Sequence, residues 1–301
     1  MAADLDDLLV KTSRTFALSI PPLPEPTRRE VTIAYLLFRV ADTFEDASHW
    51  SRSQRVAGLE CFVDLLESGD RDAAAAAARE WVAQGPSEHE GYVELMAEVP
   101  EVLRAFAALS GPAQEIIRRH VVRTSVGMAE IVERTADDGV LALDDVDDLK
   151  HYCYLVAGIV GELLTELFLL DRPRLDPVAG YLTERAATFG EALQLVNILK
   201  DSADDAREGR SYLPLRADRL EVFGIARGDL GASCQYVRAL EEAGAERGLI
   251  AFTALPVLLA CATLDRVEDQ GPGAKLSRPE VARIVQEMNL ALDEERSAVP
   301  A

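Results

Sequence analysis

The sequence predicts an all-α protein. Apolar residues recur along the chain at the three- and four-residue spacing of helices, and no segment alternates apolar and polar residues as a half-buried strand does. Two acidic clusters, at residues 42–46 and 201–205, lie inside such helical stretches. Glycine and proline pairs divide the chain into helix-sized segments. Together these observations predict a helical bundle in which two helices carry acidic side chains.

Local signals predict the helices of the first third of the chain. The proline-rich segment 21–26 is a rigid connector. Thr27, with Glu30 three residues later, predicts a capping box at the start of the helix that carries the first acidic cluster. The alanine run 73–78 predicts a further helix, which ends at the turn 85–87.

The rest of the chain continues the same pattern. A helix is expected over about 112–133, and the acidic run 144–148 predicts a solvated helix start that the helix dipole favours. A long apolar helix is expected behind it, over 152–170. Breaks at 171–177 and 271–273 delimit the later helices.

A narrow polar stripe lies on the first acidic helix. Steps of four, three and four residues place its members on one helix face. They are Tyr35, Arg39, Asp42 and Asp46. One such cluster could be the solvated end of a surface helix, but a solvent-facing stripe is normally wide and mixed in charge. A narrow acidic stripe, present twice in one chain, instead predicts side chains that line an internal cavity.

The second acidic helix repeats the pattern with steps of three, four and four residues. Its members are Gln194, Asn197, Asp201 and Asp205. Mg²⁺ prefers oxygen ligands and usually takes one or two carboxylates together with substrate phosphate oxygens. Carboxylates one helical turn apart repel each other unless a cation lies between them. The two stripes therefore predict Mg²⁺ held against a diphosphate.

The charge balance limits the choice of partners. Acidic residues outnumber basic ones by 52 to 31, and no concentrated basic patch is present, so nucleic acid is not expected to bind. The same excess repels a diphosphate, so a site for one needs divalent metal and nearby cations. Those cations are available close to the motifs: Arg14, Arg39, Lys200 and Arg210.

Several features favour a cytoplasmic protein. The four cysteines are widely and irregularly spaced without a CxxC, which predicts neither a zinc site nor a disulfide framework. Residues 1–10 show no signal-peptide pattern. The apolar stretches 152–170 and 249–264 carry two glutamates and a proline respectively, so both predict buried helices. The second could also rest on a bilayer surface, as a peripheral contact for product release.

Short motifs occur in a fixed order along nearly the whole chain. They are Ser13-Arg14-Thr15-Phe16, residues 35–46, Gly127-Met128-Ala129-Glu130, Tyr152-Cys153 followed by 156–161, residues 193–205, Gly209-Arg210 and Tyr212-Leu213-Pro214. Each alone is weak, but the ordered set resembles the squalene/phytoene synthase family. Residues 42–46, 127–129 and 255–264 are closer to the squalene-forming members than to the phytoene-forming ones.

The resemblance implies a fold and a reaction. The fold is an all-α single domain over 1–301, with a central cavity between the two acidic helices; residues 1–12 and 290–301 are expected to be loose termini. The reaction joins two farnesyl diphosphates head to head through presqualene diphosphate, followed by NADPH-dependent reduction to squalene. The expected cofactors are Mg²⁺ and NADPH.

The resemblance also implies roles for individual residues. Six carboxylates would hold Mg²⁺: Asp42, Glu45, Asp46, Asp201, Asp204 and Asp205. The diphosphate would contact Arg14, Arg39 and Arg210, whose guanidinium forks suit phosphate, together with Gln194 and Asn197. Tyr35 and Tyr152 would lie near the cationic reaction centre, and with Asp42, Asp46, Asp201 and Asp205 they form the predicted catalytic set. NADPH would contact Lys275, Lys200 and Asn197.

Some assignments stay open. Tyr152 could be an ordinary core tyrosine with a satisfied hydroxyl. Gly158 and Gly161 could leave room for an isoprenoid tail or permit close helix packing. Ser277 stands where a basic residue is expected and Lys200 replaces a common arginine, and both departures bear on reduction rather than condensation.

Three other functions remain as alternatives. The chain could be a non-reducing member that makes presqualene diphosphate, dehydrosqualene or phytoene. It could be a silent helical protein that binds prenyl diphosphates, although the retention of all the carboxylates argues against this. A cyclising terpene synthase is disfavoured because its acidic motifs usually differ in form. No GxGxxG follows a strand, so a Rossmann nucleotide site is not expected.

Overall fold

Helices make up most of the computed structural model. This confirms the all-α class. The part that the structure describes comprises residues 4–13, 15–135, 141–170, 172–207, 210–214 and 218–300, without the side chains of residues 141, 205, 206 and 210. Internal contacts divide the chain into two compact units. The first consists of Met1–Pro21 and Glu25–Gly139, and the second of Pro22–Pro24 and Val140–Ala301. The expectation of a single domain stays a prediction.

The first unit contains eight helices within its described residues. They are α1 (Leu5–Thr12), α2 (Phe16–Ser19), α3 (Thr27–Glu45), α4 (Arg52–Ser68), α5 (Arg71–Gln84), α6 (Glu90–Ala97), α7 (Val99–Phe106) and α8 (Gly111–Glu133). Helix α3 runs through the core and packs against α4, α7 and α8. Its apolar positions, including Leu36, Val40 and Phe44, are fully buried. The predicted limits of α5 and α8 are confirmed to within two residues.

The predicted capping box at Thr27 is wrong. Helix α3 begins one residue earlier than expected, with Pro26 at the N-cap and no side-chain cap hydrogen bond. The Pro26 carbonyl accepts the first helical hydrogen bond, from the Glu30 N–H at 3.1 Å. Both Thr27 and Glu30 point into the core, where they are almost completely buried. Thr27 and Glu30 are therefore part of the buried interior and do not cap the helix.

The expectation of a loose N-terminus is also wrong for residues 5–12. They form α1, which Asp4 caps by accepting a hydrogen bond from the Asp6 N–H. Leu8 and Leu9 are buried. Lys11 forms an ion pair with Glu94 of α6 at 2.8 Å. Two buried leucines and a link to α6 hold this segment in place. At the other end, α14 includes residues 290–293 of the expected loose C-terminus.

The second unit is built around a 29-residue helix. Its elements are β1 (Leu141–Ala142), α9 (Val146–Cys153), a π-helix (Tyr154–Gly158), α10 (Ile159–Leu169), a 3₁₀ helix (Pro173–Val178), α11 (Ala179–Arg207), β2 (Arg210–Ser211), α12 (Arg219–Glu242), α13 (Arg247–Gln270) and α14 (Arg278–Asp293). Helix α11 packs against α10, α12 and α13. The parallel β1–β2 pair was not predicted, because two-residue strands carry no periodic signal.

The long apolar helix expected over 152–170 is interrupted. Residues Tyr154–Gly158 adopt a π-helix between α9 and α10. Such insertions are rare and frequently occur at functional sites. The predicted acidic start is confirmed, because the Asp145 side chain caps α9 by accepting a hydrogen bond from the Asp148 N–H.

Glycines allow helix backbones in the second unit to touch. A Cβ placed on Gly161 would lie 1.9 Å from the Ala186 carbonyl oxygen, and one on Gly190 would lie 2.0 Å from the Ala157 carbonyl oxygen. A Cβ on Gly158 would meet the side chains of Tyr154 and Glu191 at under 3 Å. These distances favour close helix packing over space for an isoprenoid tail.

Two helical stretches are long and apolar enough to cross a membrane. They are Val146–Leu169 and Arg247–Gln270, and in each the most apolar window is 61% buried inside the protein. Core helices of other proteins share this composition, so the finding is weak support for a membrane contact.

Replacing Gly190 tests the backbone crossing. We expect Gly190→Ala to lower the free energy of unfolding by about 1–3 kcal/mol, because the methyl group must push two helix backbones apart. Urea unfolding monitored by circular dichroism measures this change. Gly180→Ala is the matched control on the same helix, because a Cβ there meets nothing within 4 Å. Equal stabilities of the two variants would contradict the packing interpretation.

Candidate active site

The first unit places Arg39 beside the first acidic cluster. On α3, Arg39 Nη1 lies 3.1 Å from Asp42 Oδ2, and the two side chains are 24% and 28% exposed. Burial alone would lower the pKa of Arg39, but the Asp42 carboxylate and the neighbouring Tyr35 and Tyr92 raise it above its ordinary value. The guanidinium is therefore a permanent positive charge inside a largely apolar helix.

Asp42 is held in an environment that disfavours its negative charge. Burial raises its pKa to about 6, with Arg39 acting in the opposite direction and Asp46 adding to the rise. A cation shared by Asp42 and Asp46 would remove this repulsion. Among the described residues, no three acidic, histidine or cysteine side chains form a metal cage.

Glu45 lies in a different environment from its neighbours. Its side chain is only 8% exposed, whereas Asp46 is exposed. Arg55 donates a hydrogen bond to the Glu45 main-chain carbonyl, near the C-terminal end of α3. Its predicted role as a metal ligand stays a prediction.

An aromatic cluster fixes the helix end that carries this motif. The Phe44 ring lies 4.8 Å from Trp81 and 5.9 Å from Trp50, measured between centroids. A Cβ on Gly58 would meet the Phe44 ring at 2.7 Å, so α4 also touches it. Two tryptophan rings and the α4 backbone at Gly58 pack against Phe44, which restricts the end of α3 that carries Asp42 and Asp46.

Tyr35 connects α3 to the segment that begins with Ser13. Its hydroxyl donates a 2.8 Å hydrogen bond to the Thr12 carbonyl. Its ring centroid is 5.5 Å from that of Phe16. The hydroxyl thus satisfies a carbonyl at the C-terminal end of α1. The proposed location of Tyr35 near a cationic reaction centre stays a prediction. Arg14 lies outside the described residues.

A pocket of about 220 Å³ opens beside Arg39 in the first unit. Its lining includes side chains from α3, from the turn after α3 and from the start of α6: Arg39, Thr43, Asp46, Ser48, His49, His89 and Tyr92. Sequence reasoning missed Tyr92 and both histidines, because none belongs to an acidic stripe or to a motif of the resemblance.

The second unit pairs its acidic cluster with a cation in the same way. Lys200 Nζ lies 3.1 Å from Asp201 Oδ2 and 3.3 Å from Asn197 Oδ1. Asp204 is paired with Arg207. Gln194 is half-buried one turn before Asn197 on α11. The Asp205 and Arg210 side chains lie outside the described residues, so their predicted roles stay predictions.

Tyr152 occupies a buried position on α9. Its ring is stacked on Tyr212, with centroids 4.8 Å apart and planes 27° apart. Tyr212 follows β2, and the family resemblance had already drawn attention to both tyrosines. The stack places Tyr152 beside the segment that follows the second acidic cluster.

The segment between α13 and α14 is tied to the second acidic helix. The Gly273 N–H donates a 2.7 Å hydrogen bond to the Lys200 carbonyl. Arg266 Nη1 donates to the Lys275 carbonyl at 3.3 Å. The predicted NADPH residue Lys275 therefore lies on a segment anchored to α11.

Ser277 has a structural role that explains the departure from a basic residue. It is the N-cap of α14, and it forms a capping box with Glu280. Hydrogen bonds from Ser277, together with Arg266, lower the pKa of Glu280 to about 2. A lysine or arginine at position 277 could not accept the helix N–H.

A buried carboxylate was missed altogether. Glu191 on α11 has its pKa raised to about 7, first by burial and then by Asp229 and Glu162, against the opposing effect of Lys150. Asp229 on α12 has a raised pKa for the same main reason. Glu191 lies three residues before Gln194 and so continues the stripe of α11, but it is outside the second acidic cluster and the motifs of the resemblance.

Comparison with known proteins decides the family. Residues 9–243 match the family model for squalene/phytoene synthase. The chain belongs to the squalene/phytoene synthase family. Its matched region includes α3 and α11, which carry both acidic clusters.

Relatives and solved structures agree with that family. Squalene synthase ERG9 of Candida albicans is 28% identical over 282 residues, which cover 87% of this chain and 60% of that protein. Human squalene synthase is 31% identical over 206 residues, which cover 68% of this chain and 45% of that protein. The chain thus matches about half the length of these relatives.

Two solved structures show the family fold. The complex of TcSQS with the ligand BPH1237 has a TM-score of 0.75 at 25% identity, over 97% of this chain and 88% of that one. A dehydrosqualene synthase in complex with ligand has a TM-score of 0.59 at 20% identity, over 96% and 95% of the two chains. The second likeness concerns the fold alone.

The raised pKa of Glu191 predicts a pH-dependent stability. The folded protein binds a proton at Glu191 between pH 4.5 and 7 that the unfolded chain does not bind, so this group makes stability fall as pH rises through that window. We expect Glu191→Gln to raise the melting temperature more at pH 8 than at pH 5. Thermal unfolding at both pH values measures this, and a pH-independent difference would contradict it. The exposed Glu184→Gln on the same helix is the control.

Proposed function

We propose that this chain joins two farnesyl diphosphates head to head to form presqualene diphosphate, in a Mg²⁺-dependent reaction, and reduces the product to squalene with NADPH. The observation that carries the proposal is the ion pair of Arg39 and Asp42 on a buried helix of this family. Arg39 Nε is buried and has no hydrogen-bond partner among the described residues. A guanidinium with an unsatisfied Nε, beside a carboxylate, suits a diphosphate bridged to a divalent cation.

Each acidic cluster would serve the diphosphate in a defined way. Asp42 and Asp46 on α3, and Asp201 and Asp204 on α11, would hold Mg²⁺, which neutralises the leaving diphosphate when bound. Arg39 and Lys200 form ion pairs with Asp42 and Asp201 and add positive charge where the overall charge of −21 is unfavourable. Asp205, Glu45, Arg14 and Arg210 complete the proposed set.

The remaining residues would handle the carbon skeleton. Loss of diphosphate leaves an allylic cation, which aromatic faces stabilise and an apolar surrounding protects from water. The stacked Tyr152 and Tyr212 rings are the candidates for this role in the second unit. A proton is lost when the cyclopropane ring closes, and we propose that Tyr152 assists its removal.

Reduction needs NADPH close to the second acidic cluster. The Gly273–Lys200 hydrogen bond keeps Lys275 on a segment anchored to α11. Lys200 and Asn197 are hydrogen-bonded to each other on the same helix. We assign Lys275, Lys200 and Asn197 to the phosphate and ribose groups of the nucleotide.

A second candidate is a non-reducing member of the family. Ser277 caps α14 and so supplies no positive charge to the anchored segment. With fewer cations for the nucleotide, the reaction would stop at presqualene diphosphate or yield dehydrosqualene. We place either enzyme in the cytoplasm, with the apolar α13 as the surface for a peripheral membrane contact.

Product analysis separates these functions. We expect purified protein with farnesyl diphosphate and Mg²⁺ to release pyrophosphate, and to form squalene only when NADPH is added. Mass spectrometry of the extracted lipid identifies the product. Presqualene diphosphate or dehydrosqualene in both reactions would support the non-reducing member. No pyrophosphate from farnesyl or geranylgeranyl diphosphate would support the silent binder.

Asp42→Asn and Asp201→Asn test the metal assignment. We expect each to lower turnover by roughly a hundredfold or more, because an amide cannot supply the negative charge that Mg²⁺ requires. Pyrophosphate release over a range of Mg²⁺ concentrations measures the loss, and the melting temperature checks the fold. Asp64→Asn, in α4 and outside both clusters, is the control. Wild-type turnover in either variant would exclude that cluster from metal binding.

A further inference from the structure

The Arg39 guanidinium contacts two tyrosine rings. Its Cζ is 5.7 Å from the Tyr35 ring centroid and 5.3 Å from the Tyr92 ring centroid. Tyr35 precedes Arg39 by one turn on the same helix, whereas Tyr92 comes from α6. The cation therefore has two aromatic neighbours and, at 3.1 Å, the Asp42 carboxylate. Only the Tyr92 contact depends on tertiary structure.

The helix that carries Tyr92 is held firmly. A Cβ on Gly91 would lie 2.6 Å from the Lys11 carbonyl oxygen, so α6 lies against the backbone of α1. Leu95 and Met96 are fully buried. The His89 ring is stacked on Tyr92, with centroids 4.2 Å apart. The packing of α6 against α1 therefore holds the Tyr92 ring in a fixed position next to Arg39.

The fixed Tyr92 ring limits the rotamer freedom of the Arg39 side chain. An arginine held only by a neighbouring carboxylate keeps much of its rotamer freedom, and ordering it upon ligand binding reduces affinity. A second aromatic face restricts the guanidinium while leaving its edge available to phosphate oxygens. Both Arg39 and Tyr92 line the pocket of about 220 Å³ beside Asp46, so this edge is near open space.

We propose that Tyr92 is a positioning residue for diphosphate binding: its ring holds the Arg39 guanidinium in the orientation that meets the substrate diphosphate at the first acidic cluster. The inference rests on the proposed function, since it assumes that Arg39 contacts a diphosphate. It assigns the effect to the ring face of Tyr92 and none to its hydroxyl. Tyr92 would therefore govern substrate affinity more than the chemical step.

Steady-state kinetics of pyrophosphate release from farnesyl diphosphate tests this. We expect Tyr92→Phe, which keeps the ring, to stay within about twofold of wild type. Tyr92→Leu should raise KM about tenfold with a much smaller change in kcat, a change that corresponds to about 1.4 kcal/mol of ground-state binding. Loss of activity in Tyr92→Phe as large as in Tyr92→Leu would overturn the role of the ring.

A double variant separates positioning from simple damage to the fold. Lysine lacks the planar fork that stacks between rings, so in an Arg39→Lys background the change Tyr92→Leu should add less than twofold to KM. An unchanged tenfold effect in that background would overturn the proposal. Tyr92→Met, similar in volume to leucine but more flexible, gives the same test if Tyr92→Leu does not fold.

Another arginine–tyrosine stack provides the matched control. Arg185 lies 3.6 Å above the exposed Tyr181 ring in the second unit, on α11 but away from the acidic cluster. Tyr181→Leu should leave KM unchanged.

If wild-type protein releases no pyrophosphate, the proposed function fails. In that case, calorimetry of inorganic pyrophosphate binding in the presence of Mg²⁺ tests the role of Tyr92 by itself. Weaker binding in Tyr92→Leu than in Tyr92→Phe would support the role, and equal binding would overturn it.

Discussion

The ion pair of Arg39 and Asp42 is the interaction on which the first acidic cluster depends. Helix α3 lies in the core of its unit, where an isolated carboxylate would lose most of its hydration and become protonated. Burial already raises the pKa of Asp42 to about 6, and the adjacent guanidinium limits that rise. The charge of Arg39 in turn is stabilised by Asp42 and by two aromatic rings. Asp42 can therefore remain ionised near neutral pH before any metal binds.

The second cluster also pairs an aspartate with a cation, here Lys200 with Asp201. Lys200 is adjacent to Asp201 in the sequence and reaches it along α11, which is partly exposed at this point. A lysine is a flexible point charge, whereas arginine offers a rigid fork. This difference suits a position that also contacts Asn197 and whose carbonyl anchors the segment carrying Lys275. In this chain Lys200 thus connects the acidic cluster, the amide of the stripe and the proposed nucleotide segment.

Helical periodicity was sufficient to predict the fold class and the two acidic stripes. Buried apolar residues between the stripe positions of α3 produce a strong three- and four-residue pattern, and the structure has helices at both places. The errors arose where tertiary contacts outweighed local signals. Thr27 and Glu30 match a capping box in sequence, yet both are drawn into the core. The π-helix Tyr154–Gly158 was equally invisible, because one inserted residue barely changes an apolar run.

The parts of the site that sequence could not supply come from elements far apart in the chain. Tyr92 reaches Arg39 because α6 lies against α1. That approach requires a glycine at position 91, because a Cβ there would collide with the Lys11 carbonyl oxygen. Ser277 shows the converse. A serine at position 277 supplies no positive charge. As the N-cap, however, it sets the residue at which α14 begins. A substitution to arginine at that position would add positive charge and remove the hydroxyl that hydrogen-bonds Glu280, while the Gly273–Lys200 hydrogen bond that anchors the segment to α11 would remain. Position 277 therefore affects the start of α14 and the charge near Lys275, whereas the attachment of the segment to α11 depends on Gly273 and Lys200.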